Sequence, residues 1–190
     1  MNLKNNSLNS NEQIKKILDY GSKDQKIQAI QSTSESSDAK IIESIISAFD
    51  DPDIELRGEV FSSLLLNQND ISEILISSLD NQSKNIRGYC ALVLANRNDR
   101  TAISKLIQMT CDESSMVRSC VVGALGFLKA KEAKSAIQKC LEDSNIEVKK
   151  SAIKSAIDLK DTSLLSKLQI LSRENDPEID RLILLAQNNL

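Results

Sequence analysis

The sequence contains no histidine and no tryptophan, and only 3% of its 190 residues are aromatic. Without histidine there is no Ser-His-Asp or Cys-His nucleophile pair, no HExxH zinc site and no histidine proton shuttle. The few aromatic side chains do not supply the stacking platform of a single-strand binder. Five glycines and two prolines argue against an all-β fold, which needs many turns. The sequence therefore predicts an architecture and no catalytic residue.

A strong charge of one sign is also lacking, since 24 Lys and Arg against 27 Asp and Glu give a net charge of -3. Phosphate contacts need clustered Lys and Arg, so we expect no nucleic-acid partner. The first residues lack the apolar core of a signal peptide, and the longest apolar stretch, around Val121 to Leu128, is far shorter than the ~20 residues of a membrane span. We expect a cytoplasmic protein with no membrane partner, whose Asn- and Ser-rich residues 1–9 form a flexible tail.

The four cysteines form no CxxC pair, and the chain has no histidine to complete a zinc site. They are Cys90, Cys111, Cys120 and Cys140. In a cytoplasmic protein such cysteines are typically free thiols that pack as small hydrophobic side chains. The alternatives, a disulfide or a metal site, need two or more of them to converge in space. We expect free thiols and no metal ion.

A repeat of about 31 residues runs through the chain. A basic residue marks each frame, at Lys26, Arg57, Arg87, Arg118 and Lys149. An Asp or Asn lies six positions before each of the last four, at Asp51, Asn81, Asp112 and Asp143. Each frame carries two apolar stripes with helical spacing, which a single helix pair cannot bury alone. The pattern predicts an all-α protein, a right-handed α-solenoid of about six helix pairs in one domain over residues 10–190. The units are expected at 10–36, 38–67, 69–98, 100–129, 131–160 and 162–190.

Both prolines fall between the two stripes of a unit, in Asp51-Pro52 and in Asp176-Pro177. Proline is tolerated in the first turn of a helix, and a preceding Asp can accept hydrogen bonds from the free N–H groups there. We therefore expect the two prolines at equivalent positions, each at the start of the second helix of its unit.

The segment Asp-Pro-Asp-x-x-Leu-Arg-Gly-x-Val, from Asp51 to Val60, resembles HEAT repeats of the phycobilisome-lyase type. Val148 to Ala152, and Val117-Arg118 with the apolar residues that follow, show the same resemblance, which extends over about residues 10–190. It implies that the turn Asp and the following Arg form a hydrogen-bonded ladder between neighbouring units. The ladder would consist of Asp51, Arg57, Arg87, Asp112, Arg118 and Asp143. Asn81 and Lys149 match that pattern less well.

Apolar residues also occupy positions of the central second helices that point away from the predicted core. These residues are Leu66, Tyr89, Leu92, Cys120 and Phe127. A contiguous exposed patch of this kind often marks a binding surface, so we expect the concave face of the solenoid to bind a protein partner there. The alternative is that they are isolated exposed hydrophobic side chains, which are common on proteins.

The function favoured by these features is a non-catalytic scaffold or adaptor that needs no cofactor. The resemblance implies one alternative, a bilin lyase subunit or a chaperone-like protein for chromophore attachment to phycobiliproteins. Such a protein would handle a bilin transiently and would pair with a second subunit as a heterodimer. HEAT-like enzymes that bind iron through His-Glu motifs are excluded, because the chain has no histidine.

Overall fold

The structure, a computed structural model, describes the backbone of residues 3–164 and 176–189 and the side chains of residues 11–163 and 176–188. None of the described residues lies in a β-strand, which confirms the prediction of an all-α chain. Residue contacts divide the chain into two compact units, Met1–Val93 and Leu94–Leu190. The prediction of a single domain behind a flexible tail stays a prediction.

The first unit consists of successive helices joined by short connections. Its helices are α1 (Leu3–Tyr20), α2 (Lys23–Ser32), α3 (Ala39–Ser47), α4 (Ile54–Leu66), α5 (Ser72–Ser77) and the larger part of α6 (Lys84–Asn96). Short 3-10 turns, Ala48–Asp50 and Ser78–Asp80, follow α3 and α5. In these frames the second helix is therefore the longer element, and the first ends in a tightened turn.

The second unit continues the alternation. Its helices after α6 are α7 (Ile103–Met109), α8 (Ser115–Phe127), α9 (Lys134–Cys140), α10 (Ile146–Asp158) and α11 (Pro177–Asn189). The 3-10 turns Arg100–Ala102 and Lys131–Ala133 precede α7 and α9, and a third lies at Thr162–Leu164. Part of the sixth predicted frame, residues 165–175, lies outside the described residues.

Several second helices begin at side-chain caps, whereas the N-cap Ser114 of α8 makes no side-chain hydrogen bond to that helix. The Asp53 carboxylate accepts hydrogen bonds from the N–H groups of Glu55 and Leu56 at 2.8 and 3.2 Å, which satisfies two free donors of α4. Asn145 caps α10 through two N–H groups in the same way. Asp176 does so for α11, at 2.9 and 3.1 Å. The turn residues of the repeat therefore set where these helices start.

The two prolines do not occupy equivalent positions, and that prediction is wrong. Pro177 is the first residue of α11 and follows the cap Asp176, as expected. Pro52 precedes the cap Asp53 and lies outside α4. Asp51 accepts a hydrogen bond from the Asp53 N–H at 2.9 Å. Pro52 therefore lies inside a turn that precedes the first residue of α4.

Helix α1 begins at Leu3, so residues 3–9 are helical. Residues 3–20 contain neither Gly nor Pro, so no strong helix breaker separates the Asn- and Ser-rich residues from the apolar part of the helix. Within the described ranges, no helix combines the length and the apolar character needed to cross a bilayer.

Each unit has its own apolar core. In the first unit the core includes Ile42, Phe49 and Leu75, which are fully buried. In the second unit Val121 and Ile153 are fully buried, where the second helices α8 and α10 pack along one another. The second helices thus present one face to the core and leave their other residues for a functional surface.

Candidate functional site

The residue that opens each turn makes the same local hydrogen bond in four frames. Its side-chain Oδ1 accepts from the backbone N–H two positions later, at 2.8 or 2.9 Å. The four residues are Asp51, Asn81, Asp112 and Asp143. An amide oxygen serves this turn as well as a carboxylate does, so Asn81 preserves the turn geometry although it carries no charge.

The arginine six residues further on closes the same turn from the other side. Arg57 Nη1 donates to the carbonyl oxygens of Asp51 and Pro52, at 2.7 and 3.0 Å. Arg87 and Arg118 make the corresponding pairs of bonds to residues five and six positions before them, at 2.8 to 3.2 Å. Sequence reasoning missed this role. The constant spacing between each arginine and its turn was the signal that could have shown it.

Ion pairs join successive frames inside each compact unit. Arg118 Nε and Nη2 donate to the two oxygens of Asp143 at 2.7 and 2.8 Å, a two-bond pair whose side chains are only 15% and 11% exposed. The guanidinium lowers the pKa of Asp143, and the carboxylate raises the pKa of Arg118. In the first unit, the Lys26 ammonium lies 2.6 Å from the Asp51 carboxylate. The continuous ladder of six residues stays a prediction, but these contacts have its expected form.

In the fifth frame the cation that reaches the next turn is Lys150, one residue after the position marked by the repeat. Its ammonium lies 3.1 Å from both Asp176 and Glu178, and 3.2 Å from Glu147. These carboxylates, Glu178 first, raise the pKa of Lys150. Lys150 therefore supplies a cation between this frame and the next turn, one residue after the position of Lys149.

Lys26 and Arg118 each pair with a carboxylate of the next turn, but among the described residues Arg57 has no such partner. The next turn carries Asn81, and the Arg57 Nε donates instead to the Tyr89 hydroxyl at 3.3 Å. The Tyr89 ring stacks on Phe49, with ring centroids 4.8 Å apart and planes 13° apart. Tyr89 therefore lies between a buried ring and a guanidinium group, within the first unit.

The five residues of the predicted partner patch differ in exposure. In the first unit Leu66 is 68% exposed, whereas Tyr89 and Leu92 are half-buried. In the second unit Phe127 is 58% exposed and Cys120 is half-buried. A contiguous surface formed by all five stays a prediction. The sequence could not anticipate the lower exposure of Tyr89, because its ring packs on Phe49 from a different helix.

The four cysteines are free thiols, of which Cys111 is exposed and Cys90 and Cys140 are buried. Burial raises the pKa of Cys90 to about 12 and that of Cys120 to about 11, so both stay protonated at neutral pH. In the described parts of the chain, no group of three or more Cys, Asp or Glu side chains is arranged to hold a metal ion.

An open cavity of about 590 Å³ lies in the second unit, between residues of α7 and α9. It is lined by Ile107, Cys111 and Lys139 and by the Arg118–Asp143 ion pair, among others. None of the described residues that line it is aromatic, so it offers no ring on which a flat ligand could stack. The large exposed apolar side chains of the second helices are therefore the better candidate site.

Comparison with known proteins matches part of the repeat to a family. Residues 72–155 match the family model of HEAT repeats. A comparison with curated proteins found no match. The fold is similar to that of a chain in the complex of CpcE and CpcF of phycocyanin lyase from Nostoc sp. PCC7120, with a TM-score of 0.69 and 20% identity over 79% of this chain and 99% of that one.

Two designed armadillo repeat proteins are similar over nearly the whole chain. One was solved in complex with the peptide (KR)4 and has a TM-score of 0.57, with 16% identity over 93% of this chain and 98% of its own. The other, computationally designed for modular peptide recognition, has a TM-score of 0.56, with 16% identity over 94% of this chain and 98% of its own. These likenesses confirm the predicted fold class, an α-solenoid of HEAT-like helix pairs.

Proposed function

We propose that this chain, a HEAT-repeat protein, is a non-catalytic scaffold that binds a protein partner through exposed side chains of its second helices. The observation that carries the proposal is the exposure of Leu66 and Phe127, 68% and 58%, beside buried neighbours such as Leu64 and Leu125. Covering such side chains with a partner removes apolar surface from water, which is worth about 25 cal/mol per Å². A scaffold of this kind needs no cofactor, and we place it in the cytoplasm.

Leu66 and Phe127 occupy the same position in their frames. Each is the last residue of a 13-residue second helix and lies nine residues after its arginine, Arg57 or Arg118. The corresponding residue of α6 is Asn96, and that of α10 is Asp158. The repeat therefore does not require an apolar residue there. Because folding does not require Leu66 and Phe127 to be apolar, we attribute their apolar character to partner binding.

The test uses the variants Leu66→Ser and Phe127→Ser, each in the full-length chain. Both side chains are largely exposed, so the variants are expected to fold. Tyr89 and Leu92 are less suitable, because they are half-buried and the Tyr89 ring stacks on Phe49. Ile54→Ser is the matched control, since Ile54 is 73% exposed but lies at the opposite end of α4 from Leu66.

The measurement is affinity capture from a lysate of the source organism, with isotope-labelled quantification of every captured protein. At least one protein is expected to be captured by the wild-type chain and by the Ile54→Ser control, and to fall at least tenfold with Leu66→Ser or Phe127→Ser. Circular dichroism checks that all variants retain their helix content. If the captured set of proteins is the same for all four chains, neither Leu66 nor Phe127 takes part in binding a partner, and the proposal is wrong.

A bilin lyase subunit or phycobiliprotein chaperone is the second candidate. It is supported by the likeness to a chain of the phycocyanin lyase complex, which has a TM-score of 0.69. Under this candidate the chain handles a bilin transiently and works as a heterodimer. Titration of the purified protein with a free bilin would then shift the visible absorbance of the pigment. An unchanged spectrum, alone and with a candidate second subunit, would count against it.

A further inference from the structure

Within the described part of the chain, Arg57 is a cation without a counter-charge, at a place where the repeat elsewhere supplies one. Lys26 pairs with Asp51, Arg118 with Asp143 and Lys150 with Asp176, each across successive frames. Arg57 makes hydrogen bonds to two carbonyl oxygens and to the Tyr89 hydroxyl. Among the residues that the structure describes, no carboxylate lies within ion-pair distance of its guanidinium.

The absence of a counter-charge follows from one residue, Asn81. Its side chain is neutral: Oδ1 accepts from the Ser83 N–H at 2.8 Å, and the atom that replaces the second carboxylate oxygen is a nitrogen donor that cannot accept from a guanidinium. The nearby Asp51 carboxylate is held by Lys26 at 2.6 Å and by the Asp53 N–H at 2.9 Å. The edge of Arg57 formed by Nε and Nη2 is therefore left without a charged acceptor.

We propose that Arg57 and Tyr89 form a binding site for a carboxylate carried by the protein partner, an acidic side chain of its docking segment. The pair Arg118–Asp143 shows the geometry within the same repeat, with Nε and Nη2 donating to the two carboxylate oxygens at 2.7 and 2.8 Å. Beside Arg57 the Nε–H is already donated to the Tyr89 hydroxyl, so a partner's Asp or Glu accepts from Arg57 Nη2 and from the Tyr89 O–H. The carboxylate again receives two hydrogen bonds, one of them from a guanidinium.

Both side chains of the proposed site are held before a partner arrives. Arg57 Nη1 is fixed by the carbonyl oxygens of Asp51 and Pro52, and the Tyr89 ring is fixed by stacking on Phe49. The Tyr89 hydroxyl accepts from Arg57 Nε and has its own proton left to donate to a carboxylate. Both residues are half-buried, so they remain partly accessible to solvent. Such preorganisation lowers the entropic cost of binding.

This inference rests on the proposed scaffold function and adds the chemistry of the partner. Its test is Asn81→Asp, which keeps the turn hydrogen bond and supplies to Arg57 the internal carboxylate that Asp143 supplies to Arg118. The variant is expected to fold, and its new carboxylate at position 81 is expected to fill the place of the partner's carboxylate. Gln82→Glu is the matched control, because it adds the same charge at the next residue, which is exposed.

The probe is an end-blocked tetraglutamate peptide, titrated into ¹⁵N-labelled protein while the Arg57 Nε–Hε and Tyr89 amide resonances are followed. Saturable shifts are expected at both residues in the wild-type chain. Apparent affinity should fall at least tenfold in Asn81→Asp, which equals about 1.4 kcal/mol, and change less than twofold in Gln82→Glu.

Absence of a shift at Arg57 in the wild-type chain, or equal affinity in wild type and Asn81→Asp, overturns the inference. A fall of the same size in Gln82→Glu also overturns it, since general charge repulsion would then explain the loss. The scaffold function fails separately, when Leu66→Ser and Phe127→Ser leave every captured protein unchanged.

Discussion

At the residue scale, each frame-marking arginine closes its own turn, and Arg118 also joins two frames. Its Nη1 donates to two carbonyl oxygens, while Nε and Nη2 face Asp143. A lysine presents its three donors from one atom and cannot make both sets of bonds in this geometry. The sequence shows the periodicity of these arginines but not the division of their donors, because that division depends on the folded turn.

The stabilising effect of the ion pair between frames can be measured with Asp143→Asn. Asparagine keeps the turn hydrogen bond to the Asn145 N–H but presents a donor to Arg118. We expect the free energy of unfolding in urea to fall by about 1.5 to 3 kcal/mol, the range for hydrogen bonds to a charged group. Asp158→Asn, at an exposed position, is the control for loss of a charge. Equal losses in the two variants would mean that the pair contributes nothing specific.

At the scale of the helices, two glycines of α8 have different roles although they lie three residues apart. A Cβ at Gly126 would lie 2.4 Å from Ser155 Oγ and 2.6 Å from Ser155 Cα, so glycine allows α8 and α10 to pack closely. Ser155 Oγ also donates to the Val122 carbonyl oxygen across this contact, at 2.8 Å. A Cβ at Gly123 would meet no atom within 4 Å. The sequence alone does not distinguish the roles of the two glycines. They differ because Ser155 of α10 lies against Gly126 and not against Gly123.

Alanine substitution at each glycine tests this difference. Gly126→Ala must displace the backbone of α10, and we expect it to lower the free energy of unfolding by about 2 kcal/mol, as overpacked cores do. Gly123→Ala is the matched variant in the same helix, and we expect it to raise that free energy by up to about 1 kcal/mol through helix propensity. Urea unfolding followed by circular dichroism measures both. Two changes of the same sign would contradict the close packing of α8 on α10.

The positions of the helices were largely predictable, and the errors have physical reasons. The apolar spacing predicted the second helix from about Ile54 to Leu66, which is the range of α4. The start of α1 and the place of Pro52 were not predicted, because they depend on the absence of a helix breaker and on a turn hydrogen bond. Periodicity locates apolar faces well, whereas helix ends depend on individual caps.

At the scale of the whole chain, the repeat spacing predicted the fold class, which the comparison with HEAT and armadillo chains confirmed. The candidate site was predictable only in part. Leu66 and Phe127 are as exposed as their positions indicated, while Tyr89 is partly covered by contacts with Phe49 and Arg57. Helix geometry within one frame predicts which residues point away from the core. It does not predict contacts between frames, such as that of Tyr89 with Phe49, because these depend on how the helix pairs stack.

The charge pattern of the chain predicts how its stability depends on pH. Arg118 lowers the pKa of Asp143, the Ile179 N–H lowers that of Asp176, and the Asn11 side chain lowers that of Asp38. A carboxylate with a lowered folded pKa contributes stability in full above its unfolded pKa, near 3.9, and loses it as the pH falls through the folded value. Histidine, the side chain that ordinarily titrates between about pH 5 and 8, is absent.

We therefore expect the thermal unfolding midpoint to be nearly constant between about pH 5.5 and 7.5 and to fall steadily below about pH 4.5. Differential scanning calorimetry at constant ionic strength measures this profile. In Asp143→Asn part of the acid-dependent loss should disappear, because the variant has no carboxylate at that position to protonate. A transition near pH 6.5 would contradict the explanation, since it would require a titrating side chain that the turn carboxylates do not provide.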